Sequence, residues 1–445
     1  MNKIILILIL IFCIVVSYNG DIYFFSERVY ITSVSIQIIS LLIIFSDEKK
    51  PYSLFKIFYL FSFLFFGIAP IIQFYSKTTS YNARLLKESE VFVTNCIIII
   101  ILIWHYIFYK FFHKYSSIPF VKESKSDDLV IDKNLSSRQM AVLILISIFS
   151  FFSVLYSNNF SILSMFFRGG SFKKESTIDT SSIHLIVEQV FRPLAMICFL
   201  YYVNTNTKNN FIYIILLLLA LVTCFPTGVP RFYAAALYIP LCLMSFSWIR
   251  KKNIFSYLII LGMLFLFPFL DNFREFSSDR KFYLGLDFKM FKTGHFDSFQ
   301  NFALIINENI ITGGRQLLGV IFFWVPRTFW PDKPVGSGTV LADQAGFEFD
   351  NISANIFAEG YINFGYIGIF IFLLVVTYIT ARIDKIYWTK TINQKDNRFR
   401  VIYLILLGMY FFIIRGDLLS STAYTIGFFI SYYIVVKLTG LIKVK

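Results

Sequence analysis

Apolar runs long enough to cross a lipid bilayer constrain this chain more than any motif in it. A hydrocarbon layer is about 30 Å thick, so a helix rising 1.5 Å per residue needs about 20 apolar residues to span it. Twelve segments qualify as candidates: 4–18, 29–45, 54–75, 91–112, 139–157, 185–203, 211–225, 232–249, 254–270, 364–383, 401–414 and 421–436. The expectation is an all-α integral membrane protein with about twelve transmembrane helices: nine over residues 1–270, then a large polar loop over 271–363, then three over 364–445. Composition agrees, because 57% hydrophobic and 15% charged side chains leave too little polar surface to cover a water-soluble globule of 445 residues. A disordered chain, a secreted disulfide scaffold and a cytosolic enzyme are excluded. The first run follows Lys3 like a signal peptide but lacks a small-x-small cleavage pattern, so it reads as an uncleaved span.

Charge sets the expected orientation. The formal net charge of +14 would suit nucleic acid, yet the basic residues sit between apolar runs, so a membrane is the partner they indicate and nucleic acid is not. Twelve spans put both termini on one side. Lys49-Lys50, the stretch 110–138, Arg250-Lys251-Lys252 and the stretch 382–400 share that side, which the positive-inside rule makes cytoplasmic. Of 26 lysines, 18 fall there, whereas 10 of 15 arginines fall on the other side. Orientation needs only positive charge, but the planar five-donor guanidinium suits phosphate and carboxylate recognition. The outward arginines therefore read as chemistry, with headgroup contact or pairing to outward acids as the plainer alternative.

Several of those arginines stand in places that suit an anion. Pro226-Thr227-Gly228-Val229-Pro230-Arg231 breaks one helix and starts another, so free N–H groups and the guanidinium of Arg231 meet at the outer interface. Arg168-Gly169-Gly170 and Gly313-Gly314-Arg315 set a guanidinium beside glycines that let a bulky anion approach the backbone. Each reads equally as a turn with one solvated charge. Glu188 and Arg192 lie four apart on one helical face, a spacing that favours a buried neutralising pair. The loop over 271–363 holds 11 of the 27 acidic residues and is where outward chemistry is expected. It opens with Arg274 and Arg280, and its apolar stretch Gln316–Pro326 is too short to span and is expected to lie flat or re-enter. Aromatics alternating with donors and carboxylates there, Trp330 and Tyr361 among them, suit a sugar-binding groove as well as interfacial anchoring.

The five cysteines lie in apolar runs without C-x-x-C spacing, and the four histidines are scattered, so no metal site is evident. Glu348-x-Asp350 is a faint metal hint at most. Arg415-Gly416-Asp417 spells an adhesion tripeptide in a tight turn and reads as coincidence.

Thr227-Gly228-x-x-Arg231, Pro326-Arg327-x-x-Trp330-Pro331-x-Lys333-Pro334 and Glu359-Gly360-Tyr361-x-Asn363-Phe364-Gly365, in that order, resemble the Wzy-type oligosaccharide repeat-unit polymerases of bacterial surface-polysaccharide synthesis, the O-antigen polymerase family. The many spans and the late large loop resemble that family too. The resemblance implies a GT-C-like membrane glycosyltransferase at the periplasmic face of the bacterial inner membrane. It implies transfer of a growing polysaccharide from undecaprenyl diphosphate onto a lipid-linked repeat unit, without a cofactor, and a chain-length-regulating co-polymerase as partner. On that reading Arg168, Arg231, Arg274, Arg280, Arg315 and Lys333 hold the diphosphate and Arg327 stabilises the departing charge. Glu359 is the leading general base, His295 follows, and Asp343 and Asp350 trail. Trp330 and Tyr361 contact sugar. A lipid A-core O-antigen ligase would use the same donor and similar arginines. A lipid-linked oligosaccharide flippase would show charges and helix breaks at mid-membrane in both halves, whereas here the charges crowd one face.

Overall fold

A computed structural model describes residues 26–115, 134–167, 182–266, 288–391 and 397–440. Every regular element among them is a helix. Seven are long and apolar enough to cross a membrane: α1 (Glu27–Ser46), α2 (Leu54–Tyr75), α3 (Glu88–Tyr115), α4 (Ser137–Ser157), α5 (His184–Val203), α12 (Ile356–Thr389) and α14 (Leu418–Leu438). Three apolar helices are shorter, α6 (Asn210–Thr223), α7 (Arg231–Ser245) and α8 (Ile254–Leu264). The fourteen residues of α6 reach only about 21 Å at 1.5 Å per residue, which is why a run that looked like a span falls short as a helix. Helix α13 (Asn397–Arg415) covers another expected span but has Arg398 and Arg400 in its first turn and ends on Arg415. The expected first span lies outside the described residues.

Local chemistry sets where these helices start. Ser26, Ser53, Asn209, Asn355 and Asp417 each cap a helix by accepting a backbone N–H of its first turn. Ser136 forms a full capping box with Gln139. Within α2 the stretch Ser62–Ile68 widens to a π-helix, where Gly67 admits Gln37 of α1, whose Nε2 donates to Gly67 O at 2.9 Å.

Two hydrophobic clusters result. One gathers α1, α2, α3, α8 and α12, and the other gathers α4, α5, α6, α7 and α14. Helix α13 is the seam, giving Leu404 and Leu407 to the first and Val401, Ile405 and Met409 to the second. Helices α7 and α13 run antiparallel at very close range: a Cβ at Gly408 would collide with Ala235 O, and the rings of Phe232 and Phe412 stack at 3.7 Å. Glu188 and Arg192 do pair as expected, with one guanidinium nitrogen 2.9 and 2.7 Å from the two carboxylate oxygens and Arg192 buried. Cys198 and Cys224 are buried, Cys96 half-buried and Cys242 exposed.

The stretch expected as a polar loop is, over its described part, buried at 296–306 and 352–363 and mostly exposed or half-buried between them. Helix α9 (Ser298–Asn307) is buried from Ser298 to Ile306. Its two amide side chains bond distant backbone: Gln300 exchanges two hydrogen bonds with Ser80, and Asn301 donates to Ser353 O at 2.8 Å. Short helices α10 (Arg315–Ile321) and α11 (Ser337–Ala345) follow. Helix α12 then starts at Ile356 rather than 364, and the expected boundary is instead an interior break at Phe364 and Gly365. Gly365 sits at φ 63°, ψ −148°, a conformation essentially reserved for glycine. The short limb folds back so closely that a Cβ at Gly360 or Gly368 would strike the other's carbonyl.

The lysine-rich end is closed by Asp384. This fully buried carboxylate accepts from Leu54 N, Phe55 N, Tyr109 OH and Tyr403 OH at 3.0, 3.1, 3.0 and 2.7 Å. It ties the start of α2 to α3, α12 and α13.

Candidate functional site

The arginine-rich end of the bundle is organised around the break in α12. Thr312 N donates to Ile362 O at 2.7 Å and Leu317 N to Asn363 Oδ1 at 2.8 Å, so the Gly313-Gly314-Arg315 turn is fastened to the short limb. Gly314, at φ 87°, lies against the Phe364 ring, where a side chain would crowd it. Asn363 in turn donates to Glu359 O at 2.9 Å. The arginine turn and the limb that bears Glu359 are therefore one unit.

Three of the nominated cations sit together on that unit. Arg315 reaches Asp332 O at 3.3 Å, Arg327 reaches Lys333 O at 2.8 Å, and Lys333 Nζ bonds Phe323 O and Val325 O at 2.5 and 3.0 Å. Both arginines are exposed, while Lys333 is half-buried. Burial, then the neighbouring Arg327, lowers the Lys333 ammonium from its ordinary value. Backbone carbonyls thus aim two guanidinium groups without consuming all their donors. Arg231 opens α7 at the same end, because its neighbour Phe232 stacks on Phe412, one turn before the end of α13. Arg168, Arg274 and Arg280 lie outside the described residues.

Glu359 is 1% exposed. Its Oε2 accepts from Ser337 Oγ at 2.6 Å and its Oε1 from Leu418 N at 2.8 Å. Beside it, Asp417 caps α14 through Leu419 N and Ser420 N and also accepts from Gly338 N at 3.1 Å. Both carboxylates hold the Ser337–Gly338 pair, Glu359 through Ser337 Oγ and Asp417 through Gly338 N, and both hold the start of α14, Glu359 through Leu418 N and Asp417 through Leu419 N and Ser420 N. Burial raises the Asp417 carboxyl above its ordinary range, and its backbone donors only partly oppose that. Two close carboxylates in a low-dielectric setting favour a shared proton over two charges.

Arg415, one turn residue away, donates to His295 O, Gly294 O and Asp297 Oδ1 at 3.1, 3.1 and 2.9 Å. Asp297 is fully buried and also accepts from Ser353 Oγ at 2.6 Å. The tripeptide read as coincidence therefore supplies both the clamp on the 294–297 turn and the partner of Glu359. The signal available was its position, a charged turn facing the same side as the nominated arginines.

The remaining nominees are placed as follows. His295 is half-buried and held by its carbonyl. Tyr361 is 3% exposed, with its hydroxyl 2.9 Å from Asn309 Oδ1. Trp330 is half-buried, edge-on to Phe322 at 6.4 Å. Asp343, Glu348 and Asp350 are exposed and away from these contacts. The structure unites Arg315, Arg327, Lys333 and the Glu359 limb and adds Asp417, Ser337, Arg415 and Asp297. Such an arrangement is able to bind an anion at the surface and hold a proton behind it. Comparison with protein-family models, with curated proteins and with solved structures found no match to this chain.

Proposed function

We propose that the chain is a membrane glycosyltransferase that moves a growing polysaccharide from undecaprenyl diphosphate onto the terminal sugar of a fresh lipid-linked repeat unit. The observation that carries this reading is the fastening of the Arg315–Arg327–Lys333 turn to the helix limb that bears Glu359. In the transfer, an acceptor hydroxyl oxygen forms a bond to the anomeric carbon as the bond to diphosphate breaks. The electron pair leaves with the lipid diphosphate, and the hydroxyl proton goes to a base. Preorganised guanidinium groups in a water-poor interface stabilise the departing negative charge. Glu359 is the base on this reading, with Ser337 as its cover: the serine has to swing aside, or pass the proton through its own hydroxyl, for the carboxylate to act.

The same reading takes all twelve apolar segments as spans of the bacterial inner membrane with both termini in the cytoplasm. It sets the arginine-rich end at the periplasmic face and expects a chain-length-regulating co-polymerase as partner. Reconstitution in proteoliposomes with purified lipid-linked repeat units tests it, because elongation, transfer to a core lipid and translocation give three different products. Only a ladder of lengthened lipid-linked glycans supports the proposal; transfer to core lipid makes the protein a ligase, and unmodified translocated units make it a transporter.

A further inference from the structure

A cavity of about 150 Å³ opens at the arginine-rich end, between the last turn of α2, the 77–86 segment and the first turn of α9. At about 30 Å³ per water it has room for roughly five waters, comparable to one pyranose ring. Phe74 and Phe299 stand in its wall, with Leu85, Thr79 and Lys77 at the mouth. None of the nominated arginines lines it.

Its polar floor is Gln73, which is 7% exposed. The amide nitrogen donates to Phe291 O at 2.7 Å and to Phe296 O at 3.0 Å. Two carbonyl acceptors fix which end of the amide is which, since reversing it would set oxygen against oxygen. Oε1 then accepts no hydrogen bond from the described residues. The wall's other glutamine, Gln300, has both ends engaged by Ser80. An unpaired acceptor between aromatic rings, in a space of this size, is the chemistry that takes a sugar: hydroxyl to oxygen, apolar ring face to side chain.

We infer that this cavity is a pyranose subsite, with Gln73 Oε1 accepting a sugar hydroxyl. The residues that build it also lead to the candidate site. Of the two carbonyls held by Gln73, Phe296 O lies within the 294–297 turn that Arg415 clamps and Phe291 O shortly before it, and Asp297 directly precedes the helix that brings Phe299. Its assignment to an acceptor glycan rests on the polymerase reading; its affinity for a sugar ring does not.

The test uses the full chain in nanodiscs and a short-chain glucoside carrying a diazirine in its aglycone. After irradiation, the label is expected on peptides containing residues 70–91 and 299–300, competed by methyl glucoside and lost in Leu85→Trp. Leu85 is 52% exposed, so the larger ring blocks the mouth without entering the core. Thr79→Trp is a second blocking variant, and an unchanged thermal midpoint in either shows that the fold is retained. Label that persists in both variants, or that yields to inorganic pyrophosphate and not to methyl glucoside, overturns the assignment. A wild-type protein that takes label here but never elongates repeat units keeps the subsite and removes the polymerase reading. One that elongates but takes no label here does the reverse.

Discussion

Glu359→Gln separates the chemical role of this carboxyl from its structural one. In the native arrangement Oε1 accepts from Leu418 N and Oε2 from Ser337 Oγ. Glutamine keeps an oxygen for Leu418 N–H, which cannot turn, and offers an amide to Ser337, whose hydroxyl rotates to accept it. One bond changes polarity and none is lost, so the expected stability cost is about 0.5–1.5 kcal/mol. A general base contributes about 10²- to 10⁴-fold in rate, and even 10²-fold is about 2.7 kcal/mol on the barrier. The variant is therefore expected to unfold near the wild-type temperature while losing elongation of lipid-linked repeat units. Donor binding, followed by retention of labelled lipid-linked repeat unit on the purified protein, is expected to persist. A folded Glu359→Gln protein that elongates within a few-fold of wild type would refute the base assignment.

Four further outcomes follow from other contacts. Asp384→Asn leaves one of two backbone donors, Leu54 N–H or Phe55 N–H, facing an amide it cannot use, for about 1–3 kcal/mol in thermal unfolding; Asp384→Leu, which abandons all four donors, is expected to cost several times more. Gly365→Ala forces a side chain into a glycine-only conformation at about 1–3 kcal/mol and is expected to weaken elongation together with the thermal midpoint. The Asp417 carboxyl is raised by burial, so its contribution to stability is full below about pH 4 and is lost as pH rises through the folded value. Asp417→Asn retains the cap and is expected to flatten the pH dependence of unfolding; an unchanged slope would place the titration elsewhere. Arg231→Ala and Arg327→Ala are expected to leave protein level intact and reduce elongation by about 10²-fold or more, shifting surface polysaccharide from a ladder to a single capped unit.

The helical plan was legible because apolar length and capping residues act locally. Ser26, Ser53 and Ser136 stand where helices begin, and the runs behind them need no distant partner to be recognised, whereas the start of α12 behind Asn355 was missed. Glu359 was legible through its motif, as were the glycines beside Arg315. What escaped was everything decided by contacts between distant segments. Asp384 lies near a lysine-rich stretch, and nothing nearby announces that Leu54, Tyr109 and Tyr403 will converge on it. Helix α9 carries Gln300 and Asn301 among its apolar residues, so it read as loop, yet both amide nitrogens and the Gln300 oxygen find partners in distant segments and the helix sinks into the core. The turn at 415–417 was passed over because three residues hold no periodicity; its importance comes from Asp297 and Glu359, more than fifty positions away.

Antiparallel α7 and α13 meet at Gly408 with no room between their backbones, so they behave as a single strut. Arg231 and Arg415, both at the arginine-rich end of that strut, must then keep their spacing whatever else shifts. On the proposed reading, admission of a large lipid-borne glycan falls to the thinner side of the candidate site, where α10 and α11 rest on the folded limb of α12 and the start of α14 through a few polar ties. An antibody fragment that staples residues 315–345 in place should stall the protein with its substrates half seated, and would give the most direct view of how that site works.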